Sequence, residues 1–137
     1  MNDNVYKILF KLLKKSLRHG DVPVSAVIVK NNKIIAKSYN TREKKKFTIN
    51  HAEINTIRKA NKKLKSYFLY DCDLYVTLKP CEMCQKVIDN SRINNVYYLL
   101  DKPTFKKEFN KTKYVYISNI YSDKYKKILT NFFNKIR

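Results

Sequence analysis

The chain has 137 residues and a net charge of +19, from 30 Lys and Arg against 11 Asp and Glu. That length suits one domain, spanning 1–137, with a real core, and 44% hydrophobic with 30% charged residues is an ordinary globular balance. Its apolar runs, such as residues 22–29, are too short to cross a bilayer, and Lys7, Lys11, Lys14 and Lys15 interrupt the block a secretory signal needs.

These exclusions lead to the expectation of a cytoplasmic protein without a membrane association, whose thiols stay reduced and serve metals more readily than disulfides. The charge favours a polyanionic partner. Yet 25 of the 30 basic residues are lysine, five are arginine, and Asn and Ile are abundant. An AT-rich genome yields the same profile, so the charge supports nucleic-acid binding without deciding it.

In chain order, Val5, Ile8, Leu9, Leu12 and Leu13 recur at helical spacing and predict an amphipathic helix over 3–18. Gly20, the only glycine, is a natural left-handed stop. Residues 22–29 are rich in β-branched side chains and predict a strand. Asn31-Asn32 suits a tight turn into a second strand over 33–39, which makes a hairpin. Residues 41–50 are polar, without periodicity, and predict a loop. Ile54, Ile57 and Ala60 predict a helix from 51 to about 64, and residues 74–78 a short strand ending at Pro80. A helix over 81–92 follows, then strands over 96–100 and 114–120 separated by a lysine-rich loop. Asp123 is placed to cap a last helix carrying Tyr125, Ile128, Leu129, Phe132, Phe133 and Ile136. The order α, β-hairpin, α, β, α, β, β, α predicts one α/β layer sandwich, with a mostly parallel sheet behind the hairpin.

The chemistry concentrates in "HAEI" at 51–54 and "PCEMC" at 80–84. Cys81 and Cys84 stand three apart where a helix starts, so their sulfurs share a face and the helix N-terminus favours thiolate. With His51 as the third donor, a Cys2His set leaves the fourth position of a tetrahedral zinc to water, as catalytic sites do. His19, at a helix end beside Gly20, suits a surface role instead. Glu53 lies two residues beyond His51, about 200° round a regular helix. Both reach one centre only from the first turn, with the metal beyond the helix end. Glu53 then takes the general acid/base role. Cys72 has no ligand at useful spacing and is expected to be a packing residue.

His-Ala-Glu followed by Pro-Cys-x-x-Cys resembles the signature of the zinc-dependent nucleoside and nucleobase deaminases, the cytidine/deoxycytidylate deaminase superfamily. The resemblance implies one zinc per chain on His51, Cys81 and Cys84, and water attack on the amine-bearing ring carbon with loss of ammonia. It also implies a three-layer cytidine-deaminase-like sandwich: a five-stranded mixed sheet with an N-terminal antiparallel hairpin and helices on both faces. Within that superfamily, "DVPVSAVIVKNNKIIAKSYN" (21–40), "HAEINTIRKA" (51–60), "LYVTLKPCEMC" (74–84) and "SRINNVYY" (91–98) are similar to the bacterial tRNA-specific adenosine deaminases, as is the closing "NFFNKIR" (131–137).

That branch deaminates adenosine 34, the wobble base of the tRNA anticodon, to inosine, and the resemblance implies a homodimer acting on the anticodon stem-loop. By position, Asn40 hydrogen-bonds the extruded base while Val22 and Pro23 wall its pocket. Phe132 and Phe133 fit a core stripe, but being adjacent they face differently, which leaves one of them free for an RNA contact; Lys135 and Arg137 add phosphate contacts. Three positions depart from the family pattern: Ser25 for a glycine, Lys79 for an acidic residue, and Lys102 for an aspartate in a shortened 101–112 loop. Two other readings stand beside this one. A deaminase of free guanine, cytosine or deoxycytidylate would have less use for the basic aromatic tail, and an RNA-binding module with structural zinc would have none for Glu53.

Overall fold

The computed structural model describes residues 2–102 and 112–135. Helix α1 (Asn2–Arg18) buries Val5, Leu9, Leu12 and Leu13, and Gly20 follows at φ 73. Strands β1 (Ser25–Lys30) and β2 (Lys33–Tyr39) form an antiparallel hairpin. Its turn places Asn31 at φ 52 and Asn32 at φ 62, the two left-handed residues that match the twist of paired strands. A four-residue helix, α2 (Arg42–Lys45), precedes α3 (Ala52–Leu64), β3 (Cys72–Leu78) and α4 (Glu82–Asn90). Strands β4 (Asn95–Leu100) and β5 (Lys113–Tyr116) and helix α5 (Ile120–Lys135) complete the described chain.

The sheet order is β2-β1-β3-β4-β5. Alternation along the strands builds two cores. Ala26, Ile28, Leu74, Val76 and Val96 face α3 and α4, with Cys72 packed among them, fully buried as a small apolar side chain. Val27, Val29 and Leu99 face the other way, onto α1 and Tyr125 of α5. The result is a three-layer sandwich with the five-stranded mixed sheet in the middle. Ser25, at the start of the buried central strand β1, keeps its hydroxyl satisfied by donating to the Leu9 carbonyl of α1 at 2.7 Å.

Several sequence expectations are corrected. Strand β1 pairs antiparallel with β3 as well as β2, so among the described residues parallel ladders join only β3–β4 and β4–β5, and the sheet is not mostly parallel. Strand β1 starts at Ser25, three residues late, because residues 21–24 make no ladder, whereas β3 starts two residues early at Cys72. The expected strand over 114–120 stops at Tyr116, and α5 begins at Ile120: Asn119, not Asp123, caps it, its Oδ1 accepting the Tyr121 amide at 2.8 Å. The expected loop over 41–50 contains α2. Helix α4 ends at Asn90, and Arg92 takes the left-handed conformation at φ 62.

Candidate metal centre and its cavity

Helices α3 and α4 begin at the same place, and neither first ligand is helical. His51 (φ −74, ψ 154) and Cys81 (φ −71, ψ 173) are extended residues immediately before their helices. Glu53 therefore sits in the first turn of α3, and the opposite-faces problem of a helical His-x-Glu does not arise. Both helix N-termini, with their partial positive charge, converge on the group.

His51 Nδ1 lies 3.8 Å from Cys81 Sγ and 3.6 Å from Cys84 Sγ. All three donor atoms fall within 4.8 Å of one another. A tetrahedral zinc with Zn–N near 2.05 Å and Zn–S near 2.3 Å would set N···S edges of about 3.6 Å. The donor types and spacing fit zinc. Cys72 stands apart from the group, so among the described residues three donors are gathered and no fourth.

Charge is shared among these donors. Cys81 is held down to about 3, chiefly by a hydrogen bond from the Cys84 thiol and then by one from the His51 ring. Cys84 is pushed far up by that same bond, by burial and by the nearby Glu53 charge. The hydrogen bond with Cys81 raises His51. Glu53, only 4% exposed, has its pKa raised by burial first and by the Cys81 charge after it.

The connection between β2 and α3 is stapled into place. The buried Asp21 carboxylate accepts the Glu43 amide at 2.6 Å and the Lys44 amide at 3.3 Å, capping α2 from outside. Asn55 Nδ2 lies 3.0 Å from the Tyr39 carbonyl and 2.9 Å from Thr41 Oγ1. On the α4 side, Gln85 donates to the Pro80 carbonyl at 3.0 Å, fixing the turn ahead of Cys81.

The centre opens into a cavity of about 430 Å³, ample for a purine nucleoside. His51, Glu53 and Cys81 form its floor, Val22, Val24, Leu78 and Leu100 its apolar wall, and Leu129 and Phe133 of α5 its rim. Asn40 donates to the Val22 carbonyl at 3.2 Å, while its Oδ1 is buried without a hydrogen-bond partner among the described residues. Asn40 lines the cavity, and a buried acceptor that the protein leaves unpaired is a group an N–H or O–H of the occupant would satisfy. The mouth is cationic: Arg42, Lys79 and Lys102 line it, and Lys79 Nζ sits 3.9 Å from Asp101 Oδ1 and 5.6 Å above the Tyr98 ring.

Of the residues singled out in the sequence, the cavity gathers His51, Glu53, Cys81, Asn40, Val22 and Phe133, with Cys84 buried behind. Pro23 is not among its lining residues; its carbonyl accepts the Tyr125 hydroxyl at 2.8 Å, and Val24 takes the wall position. Phe133 turns to the rim, 40% exposed, while Phe132 is half-buried with its ring edge-on at 5.3 Å. Lys135 is exposed in the last turn of α5; Arg137, and residues 103–111 of the basic loop, lie outside the described residues. Sequence reasoning missed Arg42 because it lies in a stretch without periodicity. Leu78 and Leu100 carry the one available signal, each closing an apolar strand.

A family model for MafB19-like deaminases matches residues 1–137. A tRNA-specific adenosine deaminase of Aquifex aeolicus (strain VF5) is 33% identical over 96% of this chain and 93% of its own. A solved structure from studies of A-to-I editing by tRNA:A34 deaminases superposes with a TM-score of 0.78 at 26% identity, over 85% of this chain and 98% of that one. Guanine deaminase from Bacillus subtilis superposes with a TM-score of 0.69 at 35% identity, over 74% and 65%.

Proposed function

Because the chain belongs to the MafB19-like deaminase family, and resembles its tRNA-editing relatives over nearly its whole length, we infer that it is a zinc-dependent hydrolase converting adenosine 34 of tRNA to inosine. One observation carries this most: a His-Cys-Cys donor set lies at one purine-sized cavity that His51, Cys81, the buried Glu53 and Asn40 all line.

The reaction replaces the exocyclic amine at C6 with the oxygen of water and releases ammonia. Zinc held by His51, Cys81 and Cys84 supplies the Lewis acidity that makes a water nucleophilic near neutral pH. Glu53 takes a proton from the attacking water and passes it to the departing amine; its raised affinity for protons suits both halves of that transfer. Asn40 Oδ1 accepts a hydrogen bond from the nucleoside and fixes its orientation. Val22, Val24, Leu78 and Leu100 exclude bulk water around the base. A loop nucleotide reaches this floor at lower cost than a paired one, because it has less stacking to lose. Arg42, Lys79, Lys102, Phe133 and Lys135 would receive the flanking phosphates and bases. The proposal includes a homodimer in the cytoplasm, the state checked by sedimentation.

The second reading, deamination of a free base or nucleotide, draws on the guanine deaminase likeness. One experiment separates them. Zinc-loaded protein incubated with total tRNA should yield inosine at position 34. Turnover of guanine, cytosine or deoxycytidylate with tRNA untouched would replace the proposal by the second reading.

A further inference from the structure

The far end of α3 carries a second basic and aromatic surface. Thirteen residues of helix put it about 20 Å from the metal ligands. There Lys65 turns left-handed at φ 51, and residues 66–71 lead back into β3. This segment is firmly held. Asn61 donates to the Ser66 carbonyl at 3.0 Å, the Phe68 amide donates to Ser66 Oγ at 3.1 Å, and Leu69 is fully buried.

The fixed backbone presents its aromatic rings outward. Tyr67 is 76% exposed and Tyr70 55%. Their rings flank Phe68, with centroids 4.9 Å and 5.5 Å from it, and the Arg92 guanidinium lies 5.3 Å from the Phe68 ring centre. A cleft of about 700 Å³ separates Tyr67 and Phe68 from Arg58, Lys62 and Lys65. Among the described residues no carboxylate lines it, and none of those three cations is ion-paired. The helix's C-terminal carbonyls would repel an anion, but the Asn61 carbonyl accepts the Lys65 and Ser66 amides, and three cations outweigh the remaining partial charge.

Rigid exposed rings beside unpaired cations, with no acid between them, match the chemistry of a single-stranded nucleic acid: flat bases to stack and a phosphate every residue. We propose that this cleft is a second RNA contact, stacking an unpaired base on Tyr67 while Arg58, Lys62 and Lys65 take the adjoining phosphates. The proposal rests on an RNA substrate as read above, and assigns a grip on that RNA separate from the catalytic cavity.

The test uses full-length zinc-loaded protein and a fluorescent oligouridine decamer, which offers no adenosine to deaminate. Tyr67→Ala should weaken binding about five- to 150-fold, and Tyr67→Phe, which keeps the ring, should restore most of it. Lys62→Ala with Lys65→Ala should reduce the slope of log affinity against log salt by about 1.4. Zinc content and unfolding midpoint should stay put, because these side chains are exposed. Unchanged oligouridine affinity in Tyr67→Ala would overturn the proposal. So would a change of sedimentation in that variant, which would make the patch a protein–protein interface. Failure to edit tRNA, with oligouridine binding still dependent on Tyr67, would reject the substrate reading and leave the cleft's role standing.

Discussion

At the scale of single residues, the division of labour at the centre depends on where each side chain leaves its helix. Glu53 is buried, which raises its affinity for a proton, and it lines the same cavity as His51 and Cys81. Glu53→Ala should keep the fold and bound zinc but slow single-turnover editing at least about 10²-fold; near wild-type turnover, with zinc confirmed by elemental analysis, would remove Glu53 from the reaction. The cysteine pair makes a separate prediction. Without metal, Cys81 and Cys84 share one proton, and a divalent cation bound by both sulfurs must displace it. Zinc titrated calorimetrically in buffers of different ionisation enthalpy should release protons, and its affinity should rise with pH. Buffer-independent heats would show that both thiols were already ionised.

At the scale of elements, loops and rims decide what the helices present. Asp21 caps α2 although 22 residues separate it from Glu43. Asp21→Ala should speed hydrogen exchange of the Glu43 and Lys44 amides about fivefold, from the loss of about 1 kcal/mol of capping, with Arg42 set less firmly at the cavity mouth. Unchanged exchange would mean the helix holds without it. Along α5, Phe133→Ala should mainly weaken RNA binding, by about 1–3 kcal/mol if a base stacks on it, whereas Phe132→Ala should mainly lower the unfolding midpoint. The reverse pattern would exchange their roles.

These elements also show what a sequence can disclose. His51, Glu53, Cys81 and Cys84 were legible because metal chemistry demands particular residue types at short spacings, and the Asn31-Asn32 turn because left-handed φ is chemically selective. The Asp21 cap, the antiparallel β1–β3 ladder and the Asn119 cap of α5 were not. Each depends on a partner distant in sequence or on a choice among several plausible caps, and local pattern is blind to both.

At the scale of the whole molecule, tyrosines tie stability to alkaline pH. Tyr75 is pushed up to about 12 by burial first and by the Tyr97 phenol second; Tyr6, Tyr97 and the fully buried Tyr125 are also raised, chiefly by burial. Between pH 10 and 12 the unfolded phenols have lost protons that the folded ones keep, so unfolding is favoured as pH rises. The denaturation midpoint should therefore hold up to about pH 10, the ordinary tyrosine value, and fall beyond it. Tyr75→Phe should flatten the fall. A midpoint independent of pH through that window would mean the phenols titrate alike in both states.

The hydrogen bond from Tyr125 to the Pro23 carbonyl joins positions 102 residues apart, and it acts as a fulcrum. Phe133 lies eight residues further along α5, about 12 Å beyond that pin, so a tilt of about 5° at Tyr125 swings the rim by about 1 Å. The backbone gripped at Pro23 is the stretch that sends Val22 and Val24 into the cavity wall. One pin therefore sets the aperture from both sides, and a substitution at Tyr125, which is fully buried and does not line the cavity, would be read out as a change in which nucleotides fit.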